Sequence, residues 1–338
     1  MVKVRYVNSL SCFVDGRRIL SLTRTNKSLE LLSLHEGSET YWKMTSFKGF
    51  NGFILGSYGG KLMLSIDDKL VLIEGATHKV VLKSSKPENF FWHATKAKNS
   101  IFVHEYGESP TGIFKSENLE NWRKVVENID LDKRSKHFHY VKYDPYRDWL
   151  IATLGDGCLR RVIYSENLGK SWKPLYKGPW QFVPIEVSED EIVFGMDSGI
   201  AKGGIGIYYP DDERWTFRFL KWHSGNVRFA QMCDLKRLSN GLWIAALGTP
   251  QAIIASKDLE TWYPIHVDGF DARFNYHMAI SEGEEIVACT TGKSLLLFRK
   301  DEPKELDAKT RPVMLSYRAY LDRLKGLGFS FKHRILGS

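Results

Sequence analysis

The chain has no apolar run near the 18 residues a membrane span needs. Its first twenty residues, MVKVRYVNSLSCFVDGRRIL, are broken by Lys3, Arg5, Asp15, Arg17 and Arg18 where a signal peptide would be continuously apolar. The expected location is therefore cytoplasmic. Cysteine is scarce: Cys12, Cys158, Cys233 and Cys289 lie far apart with no CxxC spacing, which suits small buried side chains better than redox or zinc ligands. P-loop, dinucleotide, HExxH and G-x-S-x-G signatures are absent, which sets nucleotide and serine-hydrolase chemistry aside. Net positive charge is also thin over most of the chain. From Lys309 onward seven cations face one anion, Asp322, so residues 1–308 hold only two of the eight net positive charges. That is not the footprint of a nucleic-acid-binding domain, and no nucleic acid is expected as a partner.

What is present is a repeat. GIFKSENLENWRKV at 112–125, RVIYSENLGKSWKPL at 161–175, GIGIYYPDDERWTFRFL at 204–220 and AIIASKDLETWYPIHV at 252–267 each read as an apolar strand, an Asn- or Asp-containing turn, then a Trp opening a further strand. Trp122, Trp172, Trp215 and Trp262 are spaced by about one blade length, and Trp42 lies two periods before Trp122; a member without Trp falls near Val80 and another at 284–303. Short apolar runs at this period, bounded by polar turns, predict an all-β, seven-bladed β-propeller of four-stranded antiparallel blades over residues 1–308. Six blades remain an option if the weak first repeat completes another blade. Beyond Pro312, apolar Met314, Tyr317, Leu321 and Leu324 recur at helical spacing, so residues 309–338 are expected as a short basic amphipathic helical tail. Its cations could meet an anionic membrane surface or a protein, or the helix could pack on the propeller's side.

Ser165 to Trp172 resembles the Asp-box of sialidase-type BNR repeats, S-x-D-x-G-x-T-W, with Asn for Asp. Ser116 to Trp122 and Ser256 to Trp262 resemble a form one residue shorter, and Tyr209 to Trp215 a degenerate copy. The resemblance implies a propeller and a structural turn, in which the Asx and Ser side chains bond turn amides and the Trp packs between sheets. HEYGE, KHFHYVKYDP with LGDG, and GPWQFVPIEV with FGMDSG, across residues 104–199, are similar to segments of Asp-box propellers described as glycosyl hydrolase-like.

Propeller geometry places these turns opposite the central mouth, which the starts of first strands and the ends of second strands should line. Those positions hold Trp92, His93, His104 and Glu105; His137, His139 and Asp156; Gln181 and Asp197; Arg228 and Gln231; and Arg273, Tyr276 and His277. Catalytic candidates are His139, His104, Glu105, Asp156 and Tyr276, with the others binding substrate. His104 and Glu105 could act as acid and base, although on a regular strand one of them must face away. Arg228 and Arg273 could clamp a carboxylate or pair with nearby aspartates. A divalent metal, if one binds, would take His93, His139 and His277.

Two classes of function follow. One is a carbohydrate-active or glycan-binding propeller acting on an anionic oligosaccharide or polysaccharide. The sialidase route lacks the F/Y-R-I-P motif and a clear third rim arginine, so the His-rich rim better suits β-elimination at a uronic acid. The other class is a non-catalytic scaffold or protein-interaction propeller.

Overall fold

The structure is a computed structural model. It describes the chain apart from residues 1–2, 7–8, 27, 36–37, 39, 157–159, 198–202, 221–230, 250, 270–276, 282–285, 291–293, 300–313 and 317–338. The described residues form seven sheets, each of four antiparallel strands, one of them extended by a fifth. Numbered along the chain, blade I spans residues 9–47, blade II 52–83, blade III 90–127, blade IV 137–178, blade V 182–220, blade VI 231–269 and blade VII 277–299. The innermost strands are Ser9–Asp15, Gly52–Tyr58, Phe90–Ala97, His137–Asp144, Phe182–Val187, Gln231–Arg237 and His277–Ile280; each touches the next, and the last returns to the first. The result is a closed β-propeller.

Closure comes from the N-terminus. Lys3–Tyr6 pairs antiparallel with Ser294–Arg299 and supplies the outermost strand of blade VII. Ring closure thereby joins the two ends of the propeller and removes an open sheet edge.

Burial falls from axis to rim. In blade III the second strand, Ser100–Tyr106, is buried at every position except its last, and in blade II the outer strand, Thr77–Lys83, is exposed along most of its length. A second strand is packed by neighbouring blades on both faces, so it reads as a continuous apolar run rather than an alternating one. The clusters between blades are dense: Trp262 of blade VI is fully buried with Val193, Ile205 and Ile207 of blade V.

The repeated turn has the structural job its sequence implies. In blade VI the Asp258 carboxylate accepts the Glu260 and Thr261 amides at 2.9 and 2.7 Å, Ser256 Oγ donates to that carboxylate, and Trp262 Nε1 donates to the Leu259 carbonyl. Asn118 accepts from the Glu120 and Asn121 amides in blade III, and Asn167 from the Ser171 amide in blade IV. Leu119, Leu168 and Leu259 each take positive φ at the same point of the turn, of 67°, 54° and 59°. The Asx side chain replaces the backbone partners that this tight conformation removes.

Innermost strands share a second device. In blades I to V the pairing between first and second strands slips by one residue near the mouth, leaving one extra residue on the inner strand, which in blades I to IV is Leu10, Leu55, Trp92 and His139; in blade VI an extra Cys233 on the inner strand is offset by an extra Gly248 on the second. Blade VII pairs without a slip. A β-bulge of this kind re-aims side chains, so consecutive residues such as Trp92 and His93 both line the axial channel instead of alternating.

The helical expectation for the tail is corrected at Met314–Ser316. These residues form a strand on the outer edge of blade V, pairing Met314 with Leu220 and Ser316 with Arg218. The open edge of Arg214–Leu220 offers unpaired backbone groups, and that template overrides the helical spacing. The rest of the tail lies outside the described residues. Cys12 and Cys233 are buried, as expected. Among the described residues no helix is long and apolar enough to cross a membrane.

Candidate functional site

A cluster of polar side chains gathers at the channel mouth from three adjacent blades. Blade IV contributes His137 and His139 from its first strand and Asp156 from just beyond its second. Both histidines are buried, with 1% exposure each. His137 Nδ1 lies 2.6 Å from the Gly107 carbonyl. A carbonyl only accepts, so Nδ1 carries the proton and donates it, and Nε2 is left to bind something else. That Nε2 stands 3.2 Å from Asp156 Oδ2. Two acceptors at this separation need a proton or a cation between them.

Asp156 sits in the left-handed region, φ 56°, at the turn where the strand ends. Gln181 of blade V holds it there: the Asp156 amide donates to Gln181 Oε1 at 2.9 Å, and Gln181 Nε2 donates to Asp156 Oδ1 at 3.0 Å. The same Nε2 reaches Asp197 Oδ2 at 3.2 Å, and Gln231 of blade VI bonds Asp197 as well. One glutamine therefore sets the spacing of two carboxylates. His139 stands between them, its Nε2 3.9 Å from Asp156 and its Nδ1 3.9 Å from Asp197.

The two carboxylates differ electrostatically. The His137 ring beside it, more than offsetting burial, holds Asp156 well below the usual carboxylate range. Burial pushes Asp197 up, and the neighbouring Asp156 charge adds to that, against the hydrogen bonds from Gln181 and Gln231. Tyr106, at the mouth end of its strand, packs its ring 4.0 Å from His137 and 4.7 Å from Trp92. Burial first, then Asp156 and Asp197, raises its hydroxyl, keeping the phenol neutral.

One ligand atom each from His137, His139 and Asp156 can lie within 4.8 Å of one another. This donor set suits a divalent cation: two imidazoles, one anchored through its far nitrogen by a backbone carbonyl, and a carboxylate fixed by an amide. Gly155 is shaped to the cluster, since a Cβ there would stand 2.6 Å from His139 Nε2 and 2.9 Å from Gln181 Cδ.

No family model and no curated protein matches the sequence with significance. Solved structures do match the fold. An oligogalacturonate lyase in complex with manganese aligns over 88% of this chain and 89% of its own, with TM-score 0.61 and 12% identity. YCF48 from Cyanidioschyzon merolae aligns over 89% and 99%, with TM-score 0.59 and 15% identity. The extracellular domain of a one-component system from B. thetaiotaomicron aligns over 88% of this chain but 39% of its own, with TM-score 0.61 and 9% identity. The likeness is one of fold.

Of the residues singled out in the sequence, His137, His139, Asp156, Gln181, Asp197 and Gln231 come together at the mouth. Trp92, His93 and His277 line the channel below. Arg228, Arg273 and Tyr276 lie outside the described residues. Two expectations are corrected. Glu105 faces into the blade, fully buried, and accepts from Ser85 N at 2.7 Å, Asn89 Nδ2 at 2.8 Å and Gly112 N at 3.3 Å; it ties loops together and is no partner for His104, because neighbours on a regular strand face opposite ways. His104 bonds His93 instead, Nε2 to Nδ1 at 3.3 Å. The metal set also changes: among the described residues the grouping is His137, His139 and Asp156, not His93, His139 and His277. His93 occupies the place that Tyr140 holds in blade IV, one step deeper than His139. Tyr106 was missed, although it lies two residues past His104 in HEYGE, at the strand end nearest the mouth.

Proposed function

We propose that the chain is a carbohydrate-active propeller of the Asp-box, sialidase-like type, whose mouth binds a divalent cation and an anionic oligosaccharide and cleaves it by β-elimination. The observation that carries this reading is the His137–His139–Asp156 donor set, with His137 Nε2 and Asp156 Oδ2 at 3.2 Å and the far nitrogen of His137 tied to Gly107. The likeness to an oligogalacturonate lyase in complex with manganese supports it at the level of fold and chemistry class. A bound divalent cation would neutralise a uronate carboxylate and make the proton on the adjacent carbon more acidic. The protein's own groups then have to take that proton and give one to the departing glycosidic oxygen. Asp197, beyond His139, stands to take it, and Tyr106, packed on His137, stands to give one.

The test is a panel of uronate-containing oligosaccharides assayed with manganese and with EDTA, recording both ultraviolet absorbance from unsaturated product and reducing ends. Unsaturated product that needs manganese and disappears in Asp156→Ala is the expected result. Reducing ends without unsaturation would make the protein a hydrolase. Binding without either product would make it a glycan-binding or scaffold propeller.

A further inference from the structure

Below the mouth the channel opens into a cavity of about 320 Å³ lined by the innermost strands of blades I, II, III, IV, VI and VII. Its walls mix polar surface with aromatic planes, Phe13, Phe53, Tyr58, Trp92 and Tyr140 among them. Such a volume is at the small end for ligand pockets and admits one ring rather than a chain.

The hydrogen-bonding state of its polar groups is defined. Trp92 is 8% exposed, and its buried indole N–H has no hydrogen-bond partner among the described residues. His104 Nδ1 faces the Glu105 carbonyl at 3.4 Å and so carries a proton; its Nε2 accepts from His93 Nδ1. The tautomers are thereby fixed, and His93 Nε2 remains an acceptor. A donor without a partner and an acceptor thus stand on consecutive residues of the wall.

Among the described residues the cavity offers no unbalanced charge. Lys236 is paired with Asp234 at 3.1 Å, and Asp234 also accepts from the Leu235 and Met278 amides, each at 2.9 Å. Burial pulls down His93 and His277, so both are neutral near pH 7. An ionised ligand would leave water for a pocket whose described residues offer no free counter-charge, a heavy desolvation penalty. An uncharged ring with several hydroxyl groups and apolar C–H faces fits instead, because it can stack on aromatic planes and both accept and donate hydrogen bonds.

We propose that this cavity is a binding site for a single uncharged sugar ring, distinct from the cation site at the mouth. It stands independently of the elimination reading, since none of its groups belongs to the His137–His139–Asp156 set.

The experiment is saturation-transfer NMR and equilibrium dialysis of the full chain with glucose, galactose and xylose, and with glucuronate and galacturonate, in EDTA. EDTA silences a cation-dependent mouth, so the two readings fail separately. At least one neutral sugar should bind at millimolar concentration and the uronates more weakly. Trp92→Phe, which keeps a ring but removes the N–H, should weaken neutral-sugar binding by roughly five- to tenfold. Ser57→Phe, placed at an exposed position of the lining, should abolish it while leaving the thermal midpoint unchanged. Preference for uronates, absence of any sugar binding, or neutral-sugar binding that survives both substitutions would overturn the assignment.

Discussion

Replacing His104 by glutamine should flatten the acid limb of the stability curve. His104 is fully buried against His93, and burial lowers its pKa to about 3 from an ordinary 6.5. On acidification the unfolded chain therefore takes up a proton near pH 6.5, and the folded chain refuses it until about pH 3. Across that window the unfolded state binds more protons, so the stability contributed by neutral His104 is complete above about pH 6.5 and is lost as pH falls. One fully depressed group changes stability by about 1.4 kcal/mol per pH unit. Between about pH 7.5 and pH 5 that amounts to about 2 kcal/mol, and by pH 4 to about 3 kcal/mol. Glutamine can still accept from His93 but does not titrate. Urea midpoints of the two proteins at several pH values supply the comparison, and the wild type should lose about 2 kcal/mol more than H104Q on going to pH 5. His93, also lowered by burial, leaves a residual slope in the variant. Equal losses in the two proteins would refute the burial argument.

Gly155→Ala should drive its new Cβ into His139 and Gln181, costing about 1–3 kcal/mol in thermal unfolding and weakening manganese binding measured by calorimetry. Gln181→Ala frees both carboxylates from their shared amide and should reduce manganese affinity by roughly 10–100-fold with a smaller change in unfolding midpoint. Glu105→Ala should do the reverse. It strands the Ser85 and Gly112 amides and the Asn89 side chain, so stability should fall by about 3 kcal/mol or more while manganese titrations are unchanged. Asn167→Ala removes the acceptor for the Ser171 amide and one for Ser165 Oγ; a loss of about 1 kcal/mol in urea titration is expected, with no effect at the mouth.

The propeller was legible because its marks are local and repeated. Ser, Asx and Trp at fixed offsets mark the turn between third and fourth strands in blades III, IV and VI, and that turn fixes which end of the blade faces the mouth. Ring closure was not legible. Lys3–Tyr6 carries no repeat mark, and its partner strand lies near the other end of the sequence. The strand at Met314–Ser316 was hidden by a helical spacing that a nearby sheet edge outweighs. At the site, His137, Asp156, Gln181 and Asp197 could be read from position alone, because strand ends at the mouth need only the blade register. Glu105 and the first metal set could not. Which neighbour turns inward depends on local pairing, and the bulges at Trp92 and His139 leave no signature in side-chain type.

That slip in five inner strands divides the channel into two independently written halves. Above it, residues such as His137 keep one in–out phase; beyond it, Tyr140 and His93 keep the other. A substitution upstream of the slip rewrites the rim without dictating the floor, and the converse holds below. Removing one residue at Leu10 or Leu55 would lock the halves of that blade back into a single alternation, turning one set of inward side chains toward the neighbouring blades. The extra residue is thus what allows one barrel of strands to hold a rim of histidines and carboxylates over a floor walled by aromatic planes.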